Sequence, residues 1–360
     1  MRIATLRIEN FKGLASQEID LRPTPSGEPR PFTLLLGDNG SGKTTVLQAI
    51  ALVLSLATRR TEEPMSFRWP GFLAERVGSL GRTRVEIEVT FEADEIAATQ
   101  ELADLYARTA KQGEVALPSD AKQVTLIFDE SGLHSPGGPA ALAQLWGRWF
   151  VRMRLRAHPH LRDAMARVGD VFWFGQNRDL YTAGDARDDA EGLAQGGPVG
   201  IDRLRDFLVG WWAFHTSPEQ TRGRGVDYLA LLEERFAELF PGTSFVGVAP
   251  REYASLSRAT DSYFLLRRGE KVYDLAEMSS GEQAIFPLLY QFVRLGIARS
   301  IVLIDELELH LHPPEQQALR HALRRLGPDC QFIVTSHSPY LEGITPDEDE
   351  VRLSGGRPCL

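Results

Sequence analysis

The residues best suited to chemistry stand in "GDNGSGKTT", Gly37 to Thr45. Gly37, Gly42, Lys43 and Thr44 fill the pattern G-x-x-x-x-G-K-[ST] completely. In that pattern backbone N–H groups wrap phosphates at a helix N-terminus, the lysine reaches the outer phosphates, and the threonine hydroxyl ligates magnesium. Asn39, Gly40 and Thr45 complete the same loop and belong with its binding residues. A second stretch, "IVLIDELELHLHP", delivers Asp305 and Glu306 to the carboxyl end of an apolar run. There Asp305 would hold magnesium through water, and Glu306 would orient and polarise an attacking water. His310 and His312 alternate without a third ligand, so they read as part of a turn rather than a metal site. A third stretch, "MSSGEQAIFPLLY", Met278 to Tyr290, sets two serines and a glycine before an apolar helix, an arrangement able to cap an anionic group.

These residues need rigid elements behind them. "MRIATLRIEN" alternates and "FTLLLG" is a short apolar run, so both read as strands. "TTVLQAIALVL" has apolar residues at helical spacing, which makes the loop a strand-to-helix junction. "RVEIEVTF" (Arg84 to Phe91) and "QVTLIF" (Gln123 to Phe128) read as strands, with a helix from Ala93 to Lys111 between them. "DVFWFGQNR" ends a strand in a polar turn, and "DRLRDFLVGWWAF" and "YLALLEERFAELF" read as amphipathic helices. "SYFLLRRGEKVYDL" reads as a hairpin around Arg268 to Glu270. "SIVLIDE" and "QFIVTSHSP" are nearly continuous apolar runs, the pattern of parallel strands covered on both faces. The order implies an α/β core interrupted by a helical middle.

Composition sets limits on this reading. With 360 residues, 43% hydrophobic and 25% charged, the chain can bury a sizeable core in one large or two ordinary domains. A net charge of -9 argues against nonspecific coating of nucleic acid, so any polyanion contact must be local. Cys330 and Cys359 form no C-x-x-C pair, which excludes a zinc hook and a disulfide framework and fits a reducing cytoplasm. The longest apolar run, Val46 to Ala57, is too short to span a bilayer, so no membrane association is expected.

Taken in order, "MSSGE", "IVLIDE" and "FIVTSHSP" resemble the ATP-binding-cassette (ABC) ATPases. "LRIENFKGL" and "DELELHLHP" are similar to the RecF, SMC and OLD branch of that family. The resemblance implies a P-loop NTPase head with a mixed or parallel sheet core. Its core halves would be residues 1–92 and 261–360, with a mainly helical lobe, 93–260, inserted between P-loop and signature. It implies ATP and Mg2+ as ligands. It makes Met278 to Glu282 the signature, whose Ser279 and Gly281 donate to the γ-phosphate held by a second subunit, so that a homodimer sandwiches ATP. Gln176 matches the glutamine that senses magnesium and water, with Asn177 and Arg178 as alternatives. His337 matches the switch histidine at the γ-phosphate, and Leu309 to Pro313 the loop that communicates between the two sites. Lys12 falls where the branch places a basic residue near phosphates or DNA.

The chain departs from its relatives too. Its Gly- and Pro-interrupted middle is not expected to sustain the heptad coiled coil of hook-bearing SMC proteins, and no Toprim domain like that of the OLD nucleases is expected after His337. The resemblance therefore implies an ATPase that controls a separately encoded effector, a nuclease or toxin, in DNA repair or bacterial defence, with defence favoured. Two other readings stay open: a non-catalytic nucleotide-sensing scaffold, and a transporter subunit, which the "NFKG" start disfavours. "RWFVRMRLRAHPHLR" would place Arg152, Arg154 and Arg156 along one side of a strand able to grip DNA phosphates. Its plainer reading is a basic face that is solvated or paired with acidic residues.

Overall fold

The computed structural model describes residues 1–22, 27–64, 67, 72–77, 81–108, 116–154, 159–176, 200–217, 226–251 and 262–353. The chain folds as two compact units: Met1–Trp173 with Ile297–Leu307 and Gly327–Leu360, and Phe174–Gly296 with Glu308–Leu326. This division differs from the three ranges expected. Residues 93–173 belong to the first unit, and 261–296 belong to the second.

The first unit holds two sheets. β1 (Arg2–Phe11), β2 (Leu14–Asp20), β4 (Arg84–Thr90), β5 (Gln123–Asp129) and β6 (Gly132–His134) form an antiparallel sheet in the order β2-β1-β4-β5-β6. Alternation in β4 buries Val85, Ile87 and Val89 and leaves the charged residues between them half-exposed. Each such burial contributes about 2 kcal/mol. The second sheet runs β13-β3-β12-β11-β7 and is built from β3 (Phe32–Leu36), β7 (Val171–Phe174), β11 (Ile301–Ile304), β12 (Gln331–Thr335) and β13 (Glu350–Arg352). The β13–β3, β3–β12 and β12–β11 pairs are parallel. β3, β11 and β12 are buried at every position, as their nearly continuous apolar runs suggest. Helix α1 (Lys43–Ala57) touches β1, β4 and β5 of one sheet and β12 of the other. It is therefore apolar around nearly its whole circumference, because almost no face of it meets water.

The same unit contains α2 (Ala93–Ala107), α3 (Gly138–Ala143), α4 (Gly147–Arg154) and α9 (Pro339–Ile344). Helix α2 covers most of the helix expected from Ala93 to Lys111, whose last residues lie outside those described. The strand expected within "RWFVRMRLR" is instead α4. Phe150 and Val151, adjacent in sequence, are both buried, and a one-faced strand does not bury neighbours.

In the second unit α5 (Ile201–His215) and α6 (Tyr228–Leu239) are the two amphipathic helices expected. They pack with the antiparallel sheet β10-β9-β8, made of β8 (Thr243–Pro250), β9 (Ser262–Arg268) and β10 (Lys271–Asp274). The β9–β10 hairpin turns at Gly269, as expected. Phe236, Phe245, Phe264 and Phe286 form an aromatic centre; the Phe236 and Phe286 ring centroids are 5.1 Å apart, edge to face. In "GWWAFH", Trp211 stacks near Tyr228 and Tyr290, so it serves the packing of this unit. Helices α7 (Ser280–Leu295) and α8 (Pro313–Leu326) complete it. No described helix is long and apolar enough to cross a membrane.

Candidate functional site: a P-loop beside an acidic strand end

Strand β3 ends at Leu36, and the glycine-rich loop leads directly into α1, as the motif predicts. Asp38, Asn39 and Gly40 are exposed, Gly37, Thr44 and Thr45 are half-buried, and Lys43 is buried. Gly42 caps α1 at φ +95, a conformation a side chain would strain, and a Cβ there would meet the Leu14 side chain at 2.5 Å. No side chain caps the N-terminus of α1, and its first turn holds no acidic residue. Lys43 Nζ donates to the carbonyls of Gly37 (2.6 Å) and Asp38 (3.0 Å), spanning the loop it would share with phosphates. Thr44 Oγ1 donates to the Asp305 carboxylate at 3.0 Å. The hydroxyl and the carboxylate expected to hold magnesium are therefore side by side, and these residues fit a magnesium nucleotide.

Asp305 follows β11 and is almost fully buried. Its Oδ1 also accepts a hydrogen bond from Thr335 Oγ1 at 2.7 Å. Glu306 is half-buried, stands at φ +51, and donates its backbone N–H to the same Thr335 oxygen at 2.8 Å. His337 is exposed, two residues beyond β12. Sequence reasoning singled out Asp305, Glu306 and His337 but missed Thr335. The available signal was a polar residue closing a buried strand beside the acidic one. Lys12 adopts φ +53 between β1 and β2, and its Nζ donates to Gln48 Oε1 on α1 at 2.7 Å. Burial lowers its pKa from the ordinary lysine value.

In the second unit Ser279 N-caps α7 in a full capping box. Its backbone N–H and its hydroxyl both donate to Glu282 Oε2, at 2.8 and 2.9 Å, and the Glu282 N–H donates to Ser279 Oγ at 3.3 Å. Tyr273 donates its phenolic hydrogen to Glu282 Oε1 at 2.8 Å. Burial, followed by that bond, raises the Tyr273 pKa well above the usual phenol range. A Cβ on Gly281 would meet Glu315 Oε2 at 2.7 Å, so any side chain there would have to displace the Glu315 carboxylate. The Glu315 carboxylate is held in turn by the His312 N–H at 2.9 Å. The signature stretch and the Leu309 to Pro313 turn thus meet through one carboxylate. Gln176 is exposed, two residues past β7, whereas Asn177 and Arg178 lie outside the described residues.

The arginine stretch follows its plainer reading at Arg152, which is paired with an acidic residue. Arg152 binds Asp170 at 3.2 Å and donates to the carbonyls of Thr58 and Arg59, while Arg154 donates to the Tyr106 carbonyl and lies over its ring. Arg156 lies outside the described residues. Asp170 is fully buried and also binds Arg60 at 2.9 Å. Burial pushes the Asp170 carboxyl up, but Arg60, Arg152 and Arg148 outweigh it and hold the group at about 2. Burial lowers Arg148 to about 10.

Comparison with known proteins concerns the sequence and the fold. Residues 5–131 match a family described as "AAA domain", and residues 219–341 match one described as "AAA domain, putative AbiEii toxin, Type IV TA system". The chain is 21% identical to the "Retron Ec83 probable ATPase" of Escherichia coli, over 95% of this chain and 69% of that protein. It is 23% identical to the "Septu protein PtuA" of Bacillus mycoides (strain KBAB4), over 98% of this chain but only 40% of that longer protein. Among solved structures it resembles an SMC head bound to the C-winged helix domain of ScpA, with a TM-score of 0.52 and 18% identity over 95% of this chain and 92% of that one. With a complete phosphate loop, the bonded Thr44–Asp305 pair and AAA-domain matches over residues 5–131 and 219–341, the chain carries AAA-domain sequence in two stretches and shares the P-loop fold of an SMC head.

Proposed function

We propose that the chain hydrolyses Mg-ATP and pairs head to tail with a second copy, each signature completing the other copy's site. The observation that carries hydrolysis is the bonded set of Thr44, Asp305, Thr335 and Glu306, which joins the proposed magnesium-ligand hydroxyl to the Asp305 carboxylate and, through Thr335, to the backbone of Glu306. Lys43 and the loop N–H groups would hold the phosphates, and Thr44, Asp305 and Gln176 the magnesium. Bound magnesium would offset phosphate charge. Glu306 would accept the proton of the attacking water, while Lys43, His337 and Ser279 of the second copy would stabilise charge on the transferring phosphoryl group.

Binding of ATP would then close the pair and hydrolysis would open it, a reversible clasp in the cytoplasm acting on a separately encoded effector, a nuclease or toxin. A role in bacterial antiphage defence is supported by relatives named for retron and Septu components. Glu306→Gln should lower turnover by about 10²- to 10⁴-fold and leave ATP affinity nearly unchanged. Turnover that survives the substitution would remove Glu306 as the base, and a wild-type chain that binds no ATP would end the reading altogether.

A further inference from the structure

We infer that Thr335 is a positioning residue for Glu306 and acts through its side-chain hydroxyl; this rests on the hydrolytic reading above. Glu306 stands at φ +51, where a residue with a side chain carries a cost of roughly 1–2 kcal/mol. Asparagine and aspartate visit that region readily because a short polar side chain bonds locally. Glutamate has no such advantage, so tertiary bonds must hold the turn. Two of them come from Thr335: its Oγ1 accepts from the Glu306 N–H at 2.8 Å, and its carbonyl accepts from the Leu307 N–H at 3.0 Å.

The hydroxyl has a single hydrogen, and the geometry directs it to Asp305 Oδ1 at 2.7 Å. One group therefore accepts from the backbone of the proposed base and donates to the proposed magnesium carboxylate. Valine has nearly the same shape and can do neither, whereas serine can do both. Thr335 is fully buried and is the last residue of β12, in register with Leu35 of β3. Its own place is thus fixed by the parallel sheet that also carries the phosphate loop, and it passes that rigidity to a turn that would otherwise relax.

A hydroxyl that merely supported folding would weaken stability, nucleotide binding and turnover together. A positioning hydroxyl affects turnover selectively, because a base displaced by about 1 Å loses up to 10²-fold in rate while the phosphate loop stays intact. The test compares wild type, Thr335→Val and Thr335→Ser in three measurements: hydrogen exchange at the Glu306 amide in nucleotide-free protein, ATP affinity, and kcat with KM. Thr335→Val should speed exchange at that amide and lower kcat by about 10- to 100-fold with ATP affinity and KM within about twofold, and Thr335→Ser should restore both exchange and kcat. Wild-type exchange and kcat in Thr335→Val would overturn the proposal, as would failure of Thr335→Ser to restore them. Should Thr335→Val not fold, Thr335→Ala is read by the same criteria. If wild type itself shows no turnover, the hydrolytic reading fails, while the exchange result alone still decides whether the hydroxyl holds Glu306.

Discussion

Asp170 shows how a single carboxylate can organise a buried basic cluster. Removing one partner of a buried ion pair costs about 3–5 kcal/mol, because the remaining charges lose their compensation. The Asp170 pKa is depressed from 3.8 to about 2 in the folded chain, so its contribution is fully present above the unfolded value and is lost as pH falls through the folded one. That difference corresponds to about 2 kcal/mol. Asp170→Asn should therefore be markedly less stable at neutral pH and should lose less further stability between about pH 4 and pH 2 than wild type. Acid titrations followed by circular dichroism would show this, and parallel curves for the two proteins would exclude Asp170 as the titrating group. The sequence made Lys43, Thr44, Asp305 and Glu306 legible because their spacing is itself the signal. Asp170, Arg60 and Arg152 carry no such spacing, and only the fold brings them together.

Among the elements, α7 depends most directly on a residue that also has a functional candidacy. Ser279 satisfies the first turn of α7 through its hydroxyl, so Ser279→Ala should lower stability by about 1 kcal/mol in denaturant unfolding, apart from any effect on nucleotide. An unchanged unfolding midpoint would mean that the cap contributes nothing to folding. Two serines and a glycine before an apolar run marked the start of α7, whereas Tyr273, which secures Glu282, becomes relevant only through the β9–β10 hairpin. Buried strands β3, β11 and β12 were legible from their nearly continuous apolar runs. The arginine stretch misled because residues spaced by two fit a strand face, while the burial that decided for α4 belongs to Phe150 and Val151 just before them. Short edge strands β2 and β13 gave no pattern of their own; their pairing partners define them.

For the whole molecule the decisive property is its mass in solution. Glu306→Gln protein should double in mass by light scattering when Mg-ATP is added, and Ser279→Arg in the same background should abolish the doubling. A mass indifferent to ATP would mean that the isolated chain does not work as a clasp. The parallel sheet carries a different consequence, one concerning time. Strand β3 delivers the phosphate loop early in the chain, yet both its sheet neighbours, β12 and β13, come from the last sixth of the sequence. Leu353 closes this edge by donating its N–H to Leu36 at 2.9 Å. A growing polypeptide on the ribosome thus displays its nucleotide motif long before the strands that brace it exist, and contacts so distant in sequence form late. Any grip on a nucleotide through this loop would therefore have to await the synthesis of β12 and β13.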